Sequence, residues 1–359
     1  MDTSARNIIS DLLKVANLEM PFTDILMEHD SPFMLKMPNG WEEYWEVDPP
    51  SLDDMTKLLK AIDQNYEEEL LKGAINRPFD LQNWRLRINA YLAFGGSKVM
   101  LSIRRIPRKP PQFKDTGLPY AVKLLMEAQR GLILISGSTG SGKSTTLASM
   151  IQSVNEVKNA HIITIEDPIE YVFTRDKAVF SQREVGVDTQ SFYDGVWDAM
   201  RQRPDIIVVG EIRDRETAET AMLAGESGHL VIGTVHASTA VGTIQKILSF
   251  FPEDARLAKL QTLSGSLVGV ISQILLPAAD ASGYVLAVEL LANHKQQFSH
   301  LLGDISKLQS ALERREDDVS ITMNDCLVDL VSNNKVSKLE ALRAVSGNPA
   351  LSERLRALK

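Results

Sequence analysis

Two rhythms of apolar and polar positions run along this chain. In its second part the dominant signal is the continuous apolar run: Leu132 to Ile135, Ile162 to Ile165, Ile206 to Val209 and Leu230 to Val235. Each is short, rich in aliphatic residues and followed at once by polar or charged positions. Strands covered by helices on both faces of a parallel sheet read this way, because neither face is left for polar side chains. Open sheets of that kind bind ligands beyond the carboxyl ends of their strands, so the polar clusters after the four runs are predicted to converge on one edge.

The first hundred or so residues follow a mixed pattern and predict a separate α/β module. Residues 7–16 and 52–72 have helical periodicity, with Asp53 and Asp54 near the start of the second stretch. Between them Phe33 to Met37, the turn Pro38-Asn39-Gly40, and Trp41 to Val47 predict a hairpin. Trp84 to Tyr91 alternates as a strand does, and so does Lys98 to Arg104. From Arg104 to Pro111 prolines and basic residues crowd together, which predicts a non-helical, solvated hinge and a domain boundary.

The chemistry concentrates after the first apolar run. Gly137-Ser138-Thr139-Gly140-Ser141-Gly142-Lys143-Ser144 fits G-x-x-x-x-G-K-[ST], between a strand-like run and a helix-compatible segment beginning near Lys143 and Thr145. That context makes the pattern a phosphate site. Glycines let successive N–H groups point at phosphate oxygens, and the helix adds its positive end. Lys143 would neutralise β- and γ-phosphate charge and Ser144 would offer its hydroxyl to Mg²⁺, so ATP and Mg²⁺ are the expected cofactors. The run ending in Gly210-Glu211 supplies a carboxylate for Mg²⁺, directly or through water, with glycine where an aspartate is usual. Glu166, in Ile165-Glu166-Asp167-Pro168-Ile169-Glu170, is the candidate for orienting the attacking water. His229 and His236 flank the fourth run, ~23 Å apart if it is extended, too far for one metal.

Composition narrows the class without changing it. The 359 residues suggest two or three domains, and 44% hydrophobic with 24% charged residues is the balance of a soluble globular protein. No membrane-length apolar run and no signal-peptide pattern is present, so a cytoplasmic protein is expected. One cysteine, Cys326, leaves no internal disulfide or multi-cysteine zinc site. A net charge of −8 and the absence of a basic, aromatic-interleaved stripe argue against direct nucleic-acid binding.

In order, these motifs resemble the secretion ATPase superfamily, the hexameric motors of type II secretion, type IV pili and type IV secretion. The phosphate loop is followed by an acidic box at Thr164–Glu170, by Gln182-Arg183-Glu184-Val185-Gly186, by an atypical Walker B motif from Pro204-Asp205 to Asp214, and by a histidine box from Gly228-His229 to His236. The likeness spans nearly the whole chain and is closest to the compact PilT-like branch. It implies an N-terminal PAS-like α/β domain over 1–106, a linker at 107–115, and a RecA-like parallel-sheet P-loop ATPase domain over 116–359. The core of that domain would end near 290, followed by C-terminal helices. It also implies a homohexamer working at an inner-membrane secretion or pilus platform, associated with it peripherally and reversibly. Carried over residue by residue, Glu166 is the water-activating acid, Glu211 the Walker B acid, and His229 and His236 the histidine pair. Arg87, Arg104 and Arg213 match the family's arginines, the first two as N-terminal-domain groups that reach the nucleotide.

Two departures bear on the branch. The four-cysteine insertion of many extension and type II motors cannot form here. The arginine-bearing C-terminal helix of retraction motors corresponds to Lys295–Leu302, which has neither arginine. A DotB/TraJ-like ATPase of a type IVB secretion or conjugation apparatus is the resulting expectation, with a pilus retraction ATPase as the alternative and a nucleic-acid motor behind both.

Overall fold

The computed structural model describes residues 7–293, 305–314, 317–345 and 349–358. It falls into two units, one of residues 1–109 with 280–284 and one of 110–279 with 285–359.

The first unit is built on an antiparallel sheet in the order β3-β2-β1-β6-β5-β4. Its strands are β1 (Asp24–Glu28), β2 (Phe33–Met37), β3 (Gly40–Tyr44), β4 (Ile75–Asp80), β5 (Trp84–Ala93) and β6 (Lys98–Pro107). Alternation along β5 buries Leu86, Ile88 and Ala90 and leaves Arg87 exposed between them. The buried face packs on Ile8, Leu12 and Val15 of α1 (Ile8–Ala16) and Met55, Leu58 and Leu59 of α2 (Leu52–Ile62). Ser51 and Asp54 close a capping box at the start of α2. The helical pattern over 52–72 is not one helix: α2 stops at Ile62 and α3 (Tyr66–Lys72) follows. Asp63 takes the Asn65 N–H at 2.9 Å and the Arg77 guanidinium at 2.6 Å, a local alternative to continuing the helix. The sequence pattern did not reveal β1 or β4.

β6 also overturns part of the hinge expectation. It runs through Pro107, so Arg104 to Pro107 are strand, and Arg105 is a core residue at 8% exposure.

The second unit is a doubly covered sheet in the order β13-β12-β7-β11-β10-β8-β9. The predicted runs became β7 (Gly131–Ser136), β8 (His161–Glu166), β10 (Ile206–Val209) and β11 (Leu230–Val235), paired in parallel. Every residue of β7, β10 and β11 is buried, as the continuous runs required. β9 (Val179–Glu184), β12 (Leu267–Pro277) and β13 (Tyr284–Ala292) widen the sheet. Leu132 and Leu134 face a cluster with α6 (Phe192–Ala199), α7 (Arg215–Glu226), α8 (Ala240–Ser249), α9 (Glu253–Ser266) and α10 (Ile305–Glu313). Ile133 and Ile135 face the opposite cluster with α4 (Ala121–Leu125) and α5 (Lys143–Val157). A further core, around Leu276, Ala287, Leu327 and Leu351, joins the sheet to α11 (Met323–Ser332), α12 (Lys338–Ala344) and α13 (Pro349–Ala357). Lys295–Leu302, on which the retraction comparison turned, lies outside the described residues.

Candidate nucleotide site

The phosphate loop joins the carboxyl end of β7 to α5. Gly137 has φ +155°, and a Cβ there would lie 2.3 Å from Ser141 Oγ and 2.6 Å from the Gln273 carbonyl, so only glycine fits. Gly142 is the N-cap of α5 in a left-handed conformation, with no side chain capping the helix. α3, α4 and α9 also lack a side-chain cap, but α5 alone is entered through the glycine loop. The first-turn N–H groups of α5 are thus left for an anion. Lys143 folds over the loop and donates to the carbonyls of Gly137 and Ser138, both at 2.9 Å. Burial lowers the pKa of its amine, and the nearby charges of Glu211 and Glu170 act in the opposite sense. Ser144 and Thr145 occupy the first turn of α5, and Thr145 Oγ1 lies 3.0 Å from the Tyr171 hydroxyl.

Glu166 ends β8. Its Oε1 accepts from Thr164 Oγ1 at 2.7 Å and from Gln182 Nε2 at 3.3 Å. Gln182 is itself fixed, donating to the Tyr171 carbonyl at 2.8 Å and accepting from the Phe173 N–H at 3.0 Å. Desolvation raises the pKa of Glu166, while bonds from Thr164, Gln182 and the Glu170 backbone lower it and the Glu170 charge adds slightly to the rise. A carboxylate held in place and shifted toward neutrality suits a general base. The motif containing Gln182 was visible in the sequence, but its bond to Glu166 was not. Nor was the Thr145–Tyr171 link.

Glu211 follows β10. Its Oε1 lies 3.3 Å from His236 Nε2, at the carboxyl end of β11. Gly210, in the position of the usual aspartate, explains the substitution physically. A Cβ there would come within 3.0 Å of the Ile165 carbonyl and 3.2 Å of Glu166 Cα. Thr234 holds this corner through its hydroxyl on the Gly210 carbonyl and its own carbonyl on the Ile212 N–H at 2.8 Å. Lys143, Glu166, Glu211 and His236 thus belong to one edge of the sheet, the convergence the sequence predicted.

His229 does not join them. It precedes β11 at the amino end, where its carbonyl accepts the Gly131 N–H and Nδ1 sits 3.3 Å from the Ala224 carbonyl. Arg213 is exposed, its guanidinium 5.4 Å from the Phe192 ring centre. In the first unit Arg87 and Arg104 are directly opposite across β5 and β6, both exposed. Arg104 Nε pairs with Asp24 at 3.0 Å. Like charges directly opposed on a sheet repel, so a second anion beside this pair would be favourable.

Among the described residues no group of three or more His, Cys, Asp and Glu side chains could hold a metal by itself. The donors present, a helix-start serine hydroxyl and one carboxylate, fit Mg²⁺, which keeps water and phosphate oxygens as most of its ligands.

Residues 82–326 match the family described as Type II/IV secretion system protein. The chain belongs to this family. A twitching motility protein of Neisseria gonorrhoeae is 34% identical over 306 residues, 84% of this chain and 81% of that protein. The solved structure of the pilus retraction motor PilT with bound ADP is similar at TM-score 0.81 and 38% identity, over 96% of this chain and 99% of that one. The Legionella pneumophila ATPase DotB is similar at TM-score 0.84 and 27% identity, over 97% and 98%. This secretion-family chain is an ATPase of the PilT and DotB kind, with an N-terminal α/β domain and a RecA-like ATPase domain. Among the described residues no helix is long and apolar enough to cross a membrane.

Proposed function

We propose that the chain is a cytoplasmic, Mg²⁺-dependent ATPase that works as a homohexamer and drives a type IVB-like secretion or conjugation apparatus from the cytoplasmic face of the inner membrane. Residues 1–106 would form the PAS-like domain, 107–115 the join, and 116–359 the motor domain. The observation that carries the chemistry is the single sheet edge bearing the uncapped start of α5, Lys143, Glu166 and the Glu211–His236 pair. In this reading the residues from Gly137 to Thr145 bind the phosphates. Ser144 and Glu211 would hold Mg²⁺, which supplies charge neutralisation of the phosphates when bound. Glu166 takes a proton from the attacking water, with Thr164 and Gln182 fixing its carboxylate. Arg87, Arg104 and Arg213 add positive charge for the nucleotide. His236 reports the state of Glu211 to β11, and His229, at the other end of that strand, serves a contact between subunits.

The choice of machine rests on sequence: no cysteine insertion, and no arginine in Lys295–Leu302. A second reading, pilus retraction, is favoured by the 38% identity to PilT against 27% to DotB. Deleting the gene separates them. Lost substrate or DNA transfer with normal piliation supports the secretion reading. Hyperpiliated, non-twitching cells with transfer intact establish the retraction motor.

A further inference from the structure

The phosphate loop is braced from below by a strand that no motif contains. β12 runs parallel to β7 with Val270 beside Leu134, Ile271 beside Ile135 and Ser272 beside Ser136. The next residue, Gln273, therefore arrives under the loop, and it is 1% exposed. Its Nε2 donates to the Ser141 carbonyl at 2.6 Å. Its own carbonyl lies against Gly137, and its amide against Gly142.

Two buried polar atoms of this pair, Gln273 Oε1 and Ser141 Oγ, have no partner among the described residues. The bond satisfies the buried Ser141 carbonyl and so has a stabilising share, offset in part by the orphaned Gln273 Oε1. Its further contribution is geometric. A trans peptide is planar, and its C=O and N–H point in opposite directions. Pinning the Ser141 carbonyl toward β12 therefore aims the Gly142 N–H away from β12, toward the side where phosphate binds. A loop of three glycines has many other orientations open to that peptide, and a donor that must find its direction at each binding event loses affinity.

We propose that Gln273 is a positioning residue for nucleotide binding, which fixes the Ser141–Gly142 peptide so that the Gly142 N–H faces the phosphates. The proposal rests on the phosphate-loop reading. A neutral amide suits the place, because a buried cation would compete with Lys143 for the same anion.

The test uses the full chain, a fluorescent ATP analogue titrated to equilibrium, and thermal unfolding of each variant without nucleotide. Gln273→Met keeps the volume and removes the donor. It should weaken affinity about tenfold, the equivalent of one lost hydrogen bond, and, because the buried Ser141 carbonyl loses its donor, lower the unfolding midpoint only modestly. Gln273→Glu keeps the shape but donates only when protonated, so its affinity should be poor in mildly alkaline buffer and recover as pH falls, relative to the parent at each pH. Parent-like affinity in Gln273→Met overturns the proposal. So does an affinity loss that tracks a lowered midpoint, with no recovery of Gln273→Glu at low pH. Lys143→Ala is the control: a parent that binds, with a Lys143→Ala that does not, keeps the loop reading intact even if Gln273 fails.

Discussion

Arg105 offers the sharpest test of how the N-terminal unit is held together. Its guanidinium donates to four backbone carbonyls, one at the end of α1 and three in the connection to β1. Nη1 reaches Ala16 at 3.2 Å and Leu18 at 2.9 Å, and Nη2 reaches Met20 at 2.7 Å and Phe22 at 2.9 Å. The group lies between the rings of Phe22 and Trp84, 3.6 and 4.0 Å from their centres. Burial lowers its pKa to about 10, so it remains charged at neutral pH. Charge-assisted bonds contribute roughly 1.5–3 kcal/mol each net of the exchange with water, and four that share one cation are not additive. Truncation removes the cation and leaves four carbonyls without their donor, a cost of ~3–5 kcal/mol, the upper range for breaking a buried hydrogen-bond network. Arg105→Ala should therefore lower the melting temperature of this unit by ~15 °C or more. Arg105→Lys, with a compact ammonium in place of the fork, should recover only part. Thermal unfolding followed by circular dichroism, with hydrogen exchange read over residues 16–22, is the assay. An Arg105→Ala protein melting within ~2 °C of the parent, with those residues equally protected, would refute the reasoning.

Lys143→Ala should abolish ATP binding in equilibrium titration, because it removes the amine that closes over the loop; retained binding would return the loop to a glycine-rich turn. With Glu166 as the proposed base, its raised pKa should set the acid limb of hydrolysis. The base must be ionised, so turnover should fall as pH drops through a value above the ordinary glutamate range, and a limb at the ordinary position would contradict the burial argument. Replacing Arg87 or Arg104 by Ala should reduce steady-state hydrolysis without changing the unfolding profile, since both side chains are exposed; unchanged hydrolysis would make them ordinary strand residues.

The motor domain was legible where burial on both faces leaves a mark on the sequence. β7, β8, β10 and β11 appear as apolar runs, and the residues following them share one edge of the sheet. What stayed hidden depends on contacts between distant segments. Arg105 and its neighbours form a basic, proline-flanked stretch in the sequence, and only the carbonyls of residues 16–22 turn one of them into core. At the break between α2 and α3 Asp63 takes the Asn65 N–H and meets Arg77, fourteen residues away, neither of which helical periodicity registers. β4 has one buried residue, Ile75, and therefore no alternation to detect. The two histidines flanking β11 look equivalent in the sequence, yet the direction of the strand sends only His236 to Glu211. Gln182 and Gln273 act through amides, which carry no charge pattern and no periodicity.

The central claim is that Glu166 is the base of an ATP-hydrolysing site built on this sheet edge. Single-turnover hydrolysis by Glu166→Gln, measured beside its ATP affinity, tests it most directly. Affinity should stay close to that of the parent while hydrolysis slows by about a hundredfold or more, the scale of losing a positioned base. Near-parental hydrolysis would contradict it and transfer the catalytic role to Glu211.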